Sequence, residues 1–186
     1  MEGQSGGRWT LCQSALSRCI GPAVRELYGV ARIIGLDVGE RRVGVAISDA
    51  SGVLARPVTV LTVHALDGRS VPIVADALAK LPDLDEPIAA IVVGLPKHLD
   101  GTANAMTGRV RVFAAALGRI LDRPVHLQDE RLTSREAESL LAIREKDWRV
   151  RKKRLDAAAA AIILQDYLDS VAAAAGSGDL LSDPEF

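Results

Sequence analysis

The chain has 186 residues, with 23 Lys and Arg against 24 Asp and Glu, so its formal charge of −1 gives no global sign of a nucleic-acid partner and any such sign must come from local clustering. That length suits one domain with tails and a core that needs no staples, and 3% aromatic residues amid abundant Ala, Val, Leu and Ile point to an α/β protein with aliphatic packing. The two cysteines, Cys12 and Cys19, have no His beside them, which argues against a disulfide framework or zinc site; the absence of a long continuous apolar run or secretory h-region leads us to expect a cytosolic protein with no membrane partner.

Residues 1–31 read as a weakly structured extension. Trp9, Leu16 and Ile20 fall at helical spacing, but Pro22 and Gly29 break the pattern before the first strand. The domain then runs over residues 32–172, opening with RIIGLDVGERRVGVAIS, two Ile- and Val-rich strands, Arg32–Val38 and Arg42–Ser48, joined by Gly39-Glu40-Arg41. Alternation places Ile33, Gly35, Asp37 and Gly39 on one face of the first strand. Asp37 is a carboxylate in an apolar strand, flanked on its own face by residues without side chains. The glycines leave room for a ligand or another backbone, and the carboxylate needs a cation or hydrogen-bond donors to compensate its burial. A plain alternative is a strand-end Asp bonded to the turn amides. A third strand is expected over Val53–Leu61, with Pro57 marking an edge.

From Ser70 the period becomes helical, through Val71, Val74, Leu78 and Leu81, and Pro82 ends it. Ile88–Val93 is a continuous apolar run, expected as a strand buried on both faces, and it leads into the loop Lys97–Gly101. A helix is expected over 103–121, with Val110, Phe113, Leu117 and Leu121 facing inward, then a short strand over Pro124–Gln128. Thr133 and Glu136 form a capping box for a further helix. The charged stretch Arg144–Arg154 reads as a connection, Leu155–Val171 as a buried last helix, and residues 173–186 as a flexible tail. The whole is a mixed five-stranded sheet, an antiparallel meander of three strands plus two parallel strands, with helices on both faces.

Three acidic positions stand in apolar or element-end settings: Asp37, Glu130 with Asp129 beside it, and Asp156 in LDAAAAAIIL. If the first and fifth strands share a sheet under the last helix, these can converge. Three close carboxylates repel one another unless a cation neutralises them, and hard oxygen ligands select Mg²⁺ or Mn²⁺. Two such ions can stabilise the attacking and leaving oxygens of a phosphodiester cleavage. Each residue also has a plainer role open to it: Asp156 as a helix cap, Glu130 as a partner of Arg131 or Arg135. In REKDWRVRKKR, the side chains of Arg149, Arg151, Lys152, Lys153 and Arg154 can neutralise phosphates, with Trp148 available to stack on a base. The same run read blandly is a solvated segment.

With these residues in view, the chain from about Arg32 to Ser170 resembles the YqgF family, also called the RuvX family, named for Holliday junction resolution. The matching segments are IIGLDVGERRVGVAISD, IVVGLPKHLDGT, DERLTSREAE and RKKRLDAAAAAIILQDYLDS. The resemblance implies an RNase H-like fold and a metal-dependent nuclease. It implies that Asp37, Glu130 and Asp156 are the catalytic and metal-holding carboxylates. The substrate it favours is RNA, at the 5′ end of pre-16S ribosomal RNA, with structured four-way DNA as the alternative. Glu40, where small or hydroxyl residues are usual, and Lys97-His98, in place of a neutral pair, depart from the family pattern; Lys97 is counted among the nucleic-acid contacts. The hairpin also resembles the phosphate-binding hairpin of actin- and sugar-kinase-like ATPases, but those need two such domains and this chain has length for one. A noncatalytic nucleic-acid module is the third reading, opposed by the presence of all three carboxylates.

Overall fold

The computed structural model describes residues 31–81, 87–98, 100–129 and 148–177; the side chains of 148–154 and 175–177 are not described. Five strands form one sheet: β1 (Arg32–Val38), β2 (Arg42–Ser48), β3 (Ala55–Thr62), β4 (Ile88–Leu95) and β5 (Val125–Asp129). Their order is β3-β2-β1-β4-β5. β1 and β2 pair antiparallel, as do β2 and β3, whereas β1–β4 and β4–β5 are parallel. This is the mixed sheet expected of an RNase H-like fold. Three helices are described with it: α1 (Ser70–Ala79), α2 (Ala105–Leu121) and α3 (Trp148–Ser177).

Alternation along the strands divides the core in two. Ile34, Leu36, Val43, Val45, Ile91 and Val93 face α1 and α2, meeting Val74, Leu78, Val110, Phe113 and Leu117. Ile33, Ala46, Ala90 and Val92 face α3, meeting Ala160, Ile163, Leu164 and Leu168. Residues 155–174 of α3 are long and apolar enough, by length and composition alone, to cross a membrane, but here they supply the second core.

Several boundaries differ from those expected, each for a local reason. β3 starts at Ala55 rather than Val53, because the Asp49 carboxylate accepts from the Val53 and Leu54 amides (2.8 and 3.1 Å) and holds both in the turn. Pro57 does lie on an edge strand, next to a bulge: Val45 pairs with Thr59 and Ala46 with Pro57, passing over Val58. α2 starts at Ala105 because Asn104 caps it, its side chain accepting from the Met106 and Thr107 amides while the Thr107 hydroxyl accepts from the Asn104 amide. β5 is displaced by one residue and includes Asp129.

The largest correction concerns the charged stretch. Trp148–Arg154 belongs to α3 and is not a connection. Arg and Lys are good helix formers, and no Gly or Pro intervenes between Trp148 and Val171 to stop the helix from continuing through them. The expected helix after Thr133 lies outside the described residues, as do residues 1–30 and the tail from 178.

Candidate active site

The end of β1 is where the two cores and the turn chemistry meet. The hairpin closes through the Gly39 amide donating to the Arg42 carbonyl at 2.8 Å, so that turn amide has a backbone partner and does not need Asp37. The register sets Asp37 opposite Gly44 and Gly35 opposite Ala46. The face toward α3 is therefore floored by small residues around one carboxylate.

That floor lets the helix come down. A Cβ at Gly35 would stand 2.6 Å from the Leu164 Cβ and 2.9 Å from the Ala160 carbonyl oxygen. One at Gly44 would overlap the Asp156 carbonyl oxygen itself. The glycines thus admit another backbone, and the segment admitted is the turn of α3 that carries Asp156. Asp156 lies more than two turns inside α3, so it is no helix cap. Its position is set by packing: Ala157 and Ala160 are buried beside it, and Gly44 lies directly beneath.

The electrostatics follow from this approach. The Asp37 carboxyl rises from its usual 3.8 to about 6, first because burial penalises the charged form, then because the Asp156 carboxylate repels it. Arg42 opposes both by lowering it. The Arg42 Nε stands 3.0 Å from Asp156 Oδ2, with both side chains partly exposed. Two carboxylates from separate elements and one guanidinium therefore make up a single charge cluster at the end of β1.

Asp129 points away from that cluster. The register places it opposite Leu95, on the face of Val125 and Leu127, which pack toward α1 and α2. There it pairs with Lys97 at 3.1 Å. His126 and Gln128 occupy the other face, that of Asp37, and His126 lies against the Tyr167 ring with centroids 5.3 Å apart. Glu130 comes next in the chain but lies outside the described residues. Glu40, at the hairpin tip, pairs with Arg109 of α2 at 3.3 Å and stays exposed. Of the expected site residues, Asp37 and Asp156 are brought together. Arg149, Arg151, Lys152, Lys153, Arg154 and Trp148 are placed by backbone only, on the same helix as Asp156 and N-terminal to it.

Two residues escaped the reading of the sequence. Gly44 carries the close approach, and Arg42 pairs with Asp156. The signal for both was present in the hairpin: pairing Asp37 with the strand across its short turn puts Gly44 opposite and Arg42 two residues away on the same face.

Among known families, the sequence model described as "RuvX: Holliday junction resolvase" matches residues 31–170. The chain belongs to this family. A relative named "Putative pre-16S rRNA nuclease", from Chloroflexus aggregans (strain MD-66 / DSM 9485), is 40% identical over 139 residues, covering 74% of this chain and 93% of its own. A protein of the same name from Bacillus subtilis (strain 168) is 37% identical over 142 residues, covering 75% and 99%. Among solved structures, Thermus thermophilus RuvC in complex with a Holliday junction substrate aligns at a TM-score of 0.43 and 16% identity, over 72% of this chain and 91% of that one. The shared RuvX-family segment begins at residue 31, one residue before β1, and includes the hairpin, Asp37, Glu130 and Asp156.

Proposed function

We propose that this RuvX-family chain is a divalent-cation-dependent endonuclease in which Asp37, Asp156 and Glu130 hold the ions, and that its substrate is the 5′ end of pre-16S ribosomal RNA. One observation carries the reading. The fold uses two glycines to bring a helix backbone onto the sheet, and the result is two neighbouring carboxylates, one of them held well above its usual pKa first by burial and then by repulsion from the other. Proximity of like charges in a partly buried place is unfavourable without a cation, so the arrangement is suited to binding one.

The donor set fits a hard ion. Carboxylate oxygens select Mg²⁺ or Mn²⁺ over softer metals. Among the described residues no group of three or more His, Cys, Asp or Glu is assembled, and Glu130 is the residue proposed to complete the set. It directly follows a strand whose His126 and Gln128 stand on the Asp37 face. Two bound ions would supply positive charge to the attacking and leaving oxygens of the phosphodiester.

The chain's own residues then have separable tasks. Asp37 and Asp156 hold their positions beside the end of β1 because β1 and α3 are locked by core packing. The basic residues Arg149–Arg154 precede Asp156 on α3, where they can neutralise phosphates flanking the scissile bond, and Trp148 can stack on an unpaired base. Lys97 would reach a phosphate only by giving up Asp129.

The preference for RNA rests on the names of the relatives, and the family's description supports a DNA junction as the second reading. Side-by-side cleavage of a ribosomal RNA precursor and a four-way DNA junction, with Mg²⁺ or Mn²⁺ and with EDTA, tests both. We expect cation-dependent cleavage of the RNA. Efficient paired nicking of the junction with inert RNA would reverse the ranking, and no cleavage of either would refute the nuclease.

A further inference from the structure

Arg42 opens β2 on the face of Asp37 and Gly44, with its Nε 3.0 Å from Asp156 Oδ2. Two other cations nearby, Lys97 and Arg109, pair with Asp129 and Glu40. Arg42 acts on both members of the carboxylate pair, standing against Asp156 and lowering the pKa of the Asp37 carboxyl. A guanidinium is a planar cation whose donors match the oxygens of a carboxylate. A divalent ion held by the same carboxylates would share Asp156 with a fixed positive charge only a few ångströms away. Charges that close in a partly buried place repel strongly.

This inference rests on the metal-site reading above. We propose that Arg42 is an internal counter-cation that competes with the divalent ion for Asp156, so that loading the site requires exchange of the guanidinium and Arg42 sets the metal affinity. Partial exposure of the Arg42 side chain (32%) gives it solvent to move into, whereas the Asp156 backbone is pinned against Gly44 and stays where it is. The opposite role is also definite: a guanidinium that merely orients the Asp156 carboxylate would assist the metal. The two roles differ in sign.

Mn²⁺ binding to the metal-stripped full chain, followed by the paramagnetic resonance of free Mn²⁺ without nucleic acid, separates them. We expect Arg42→Gln to bind Mn²⁺ about tenfold or more tightly than wild type, and Arg42→Lys, which keeps the charge, to stay within about threefold. Equal or weaker binding by Arg42→Gln overturns the proposal. A wild-type chain that binds no Mn²⁺ overturns the metal site itself and this inference with it. A second measurement needs no neutral variant. In wild type, the Arg42 Nε–H nuclear resonance, assigned by its absence in Arg42→Lys, should exchange faster with water as Mg²⁺ saturates the site. An Nε–H unchanged at saturating Mg²⁺ overturns the exchange.

Discussion

Replacing Asp37 by Asn should inactivate the protein and, without cations, make it more stable. The carboxyl sits at about 6 in the fold against its usual 3.8, for the reasons of burial and Asp156 repulsion given above. Below pH ~4 it is neutral in both folded and unfolded chains, so it costs nothing there. As the pH rises from about 4 to about 6, the unfolded chain releases this proton and the folded chain resists, so stability falls. Above about pH 6 the loss is complete, and at 1.36 kcal/mol per pH unit it amounts to roughly 3 kcal/mol. Asn removes the ionisation and little volume. Urea denaturation in EDTA should therefore show Asp37→Asn more stable than wild type by about 2–3 kcal/mol at pH 7.5, with the gap closing toward pH 4. On heating, the gain corresponds to a rise in Tm of roughly 4–12 °C. Saturating Mg²⁺ should narrow the gap, because only wild type gains from binding it. A variant no more stable at pH 7.5, or a gap that persists unchanged at pH 4, would refute the electrostatic reasoning.

Gly44→Ala should push α3 off β2 and so separate Asp156 from Asp37. We expect a loss of at least about 1–3 kcal/mol in denaturation, and Mn²⁺ affinity well below wild type at a temperature where the variant is folded. Asn104→Ala removes the cap of α2, far from the α3 face, and should cost about 1 kcal/mol of stability while cleavage is retained. Replacing Arg151, Lys152 and Lys153 together by Ala should weaken RNA binding and flatten its log–log salt dependence by about 0.7 to 0.9 for each phosphate the variant no longer neutralises, with much less change in rate at saturating substrate. Unchanged affinity and slope would make the run a solvated helix face. Deleting residues 1–29 should leave Tm and activity nearly unchanged, and a large fall in Tm would show that this segment packs on the domain.

The sheet was legible because its strands announce themselves locally. The β1–β2 hairpin has apolar runs on either side of a polar three-residue turn, and Ile88–Val93 is apolar throughout, as a strand covered on both faces must be. Asp37 could be singled out for the same reason: a carboxylate between glycines is conspicuous in such a run. Its partner was harder to see. Asp156 is an ordinary helical residue until α3 is laid across β1 and β2, and that crossing depends on Gly35 and Gly44 meeting Leu164, Ala160 and Asp156 more than a hundred residues away. The start of α3 is hidden because a dense run of charge carries no apolar stripe, although Arg and Lys favour helix as well as most residues do. Asp129 and Lys97 depended on strand register: a shift of one residue in β5 decides which face the carboxylate takes, and no periodicity in five residues fixes it.

The central claim is that Asp37 and Asp156 together hold the cation that makes this RuvX-family chain a nuclease. The most direct measurement is single-turnover cleavage of a pre-16S ribosomal RNA fragment by wild type, Asp37→Asn and Asp156→Asn, in Mg²⁺ and in EDTA. The account predicts cleavage only by wild type and only with Mg²⁺, with both variants folded and still binding the RNA. Wild-type rates from either variant in Mg²⁺, or from wild type in EDTA, would contradict it.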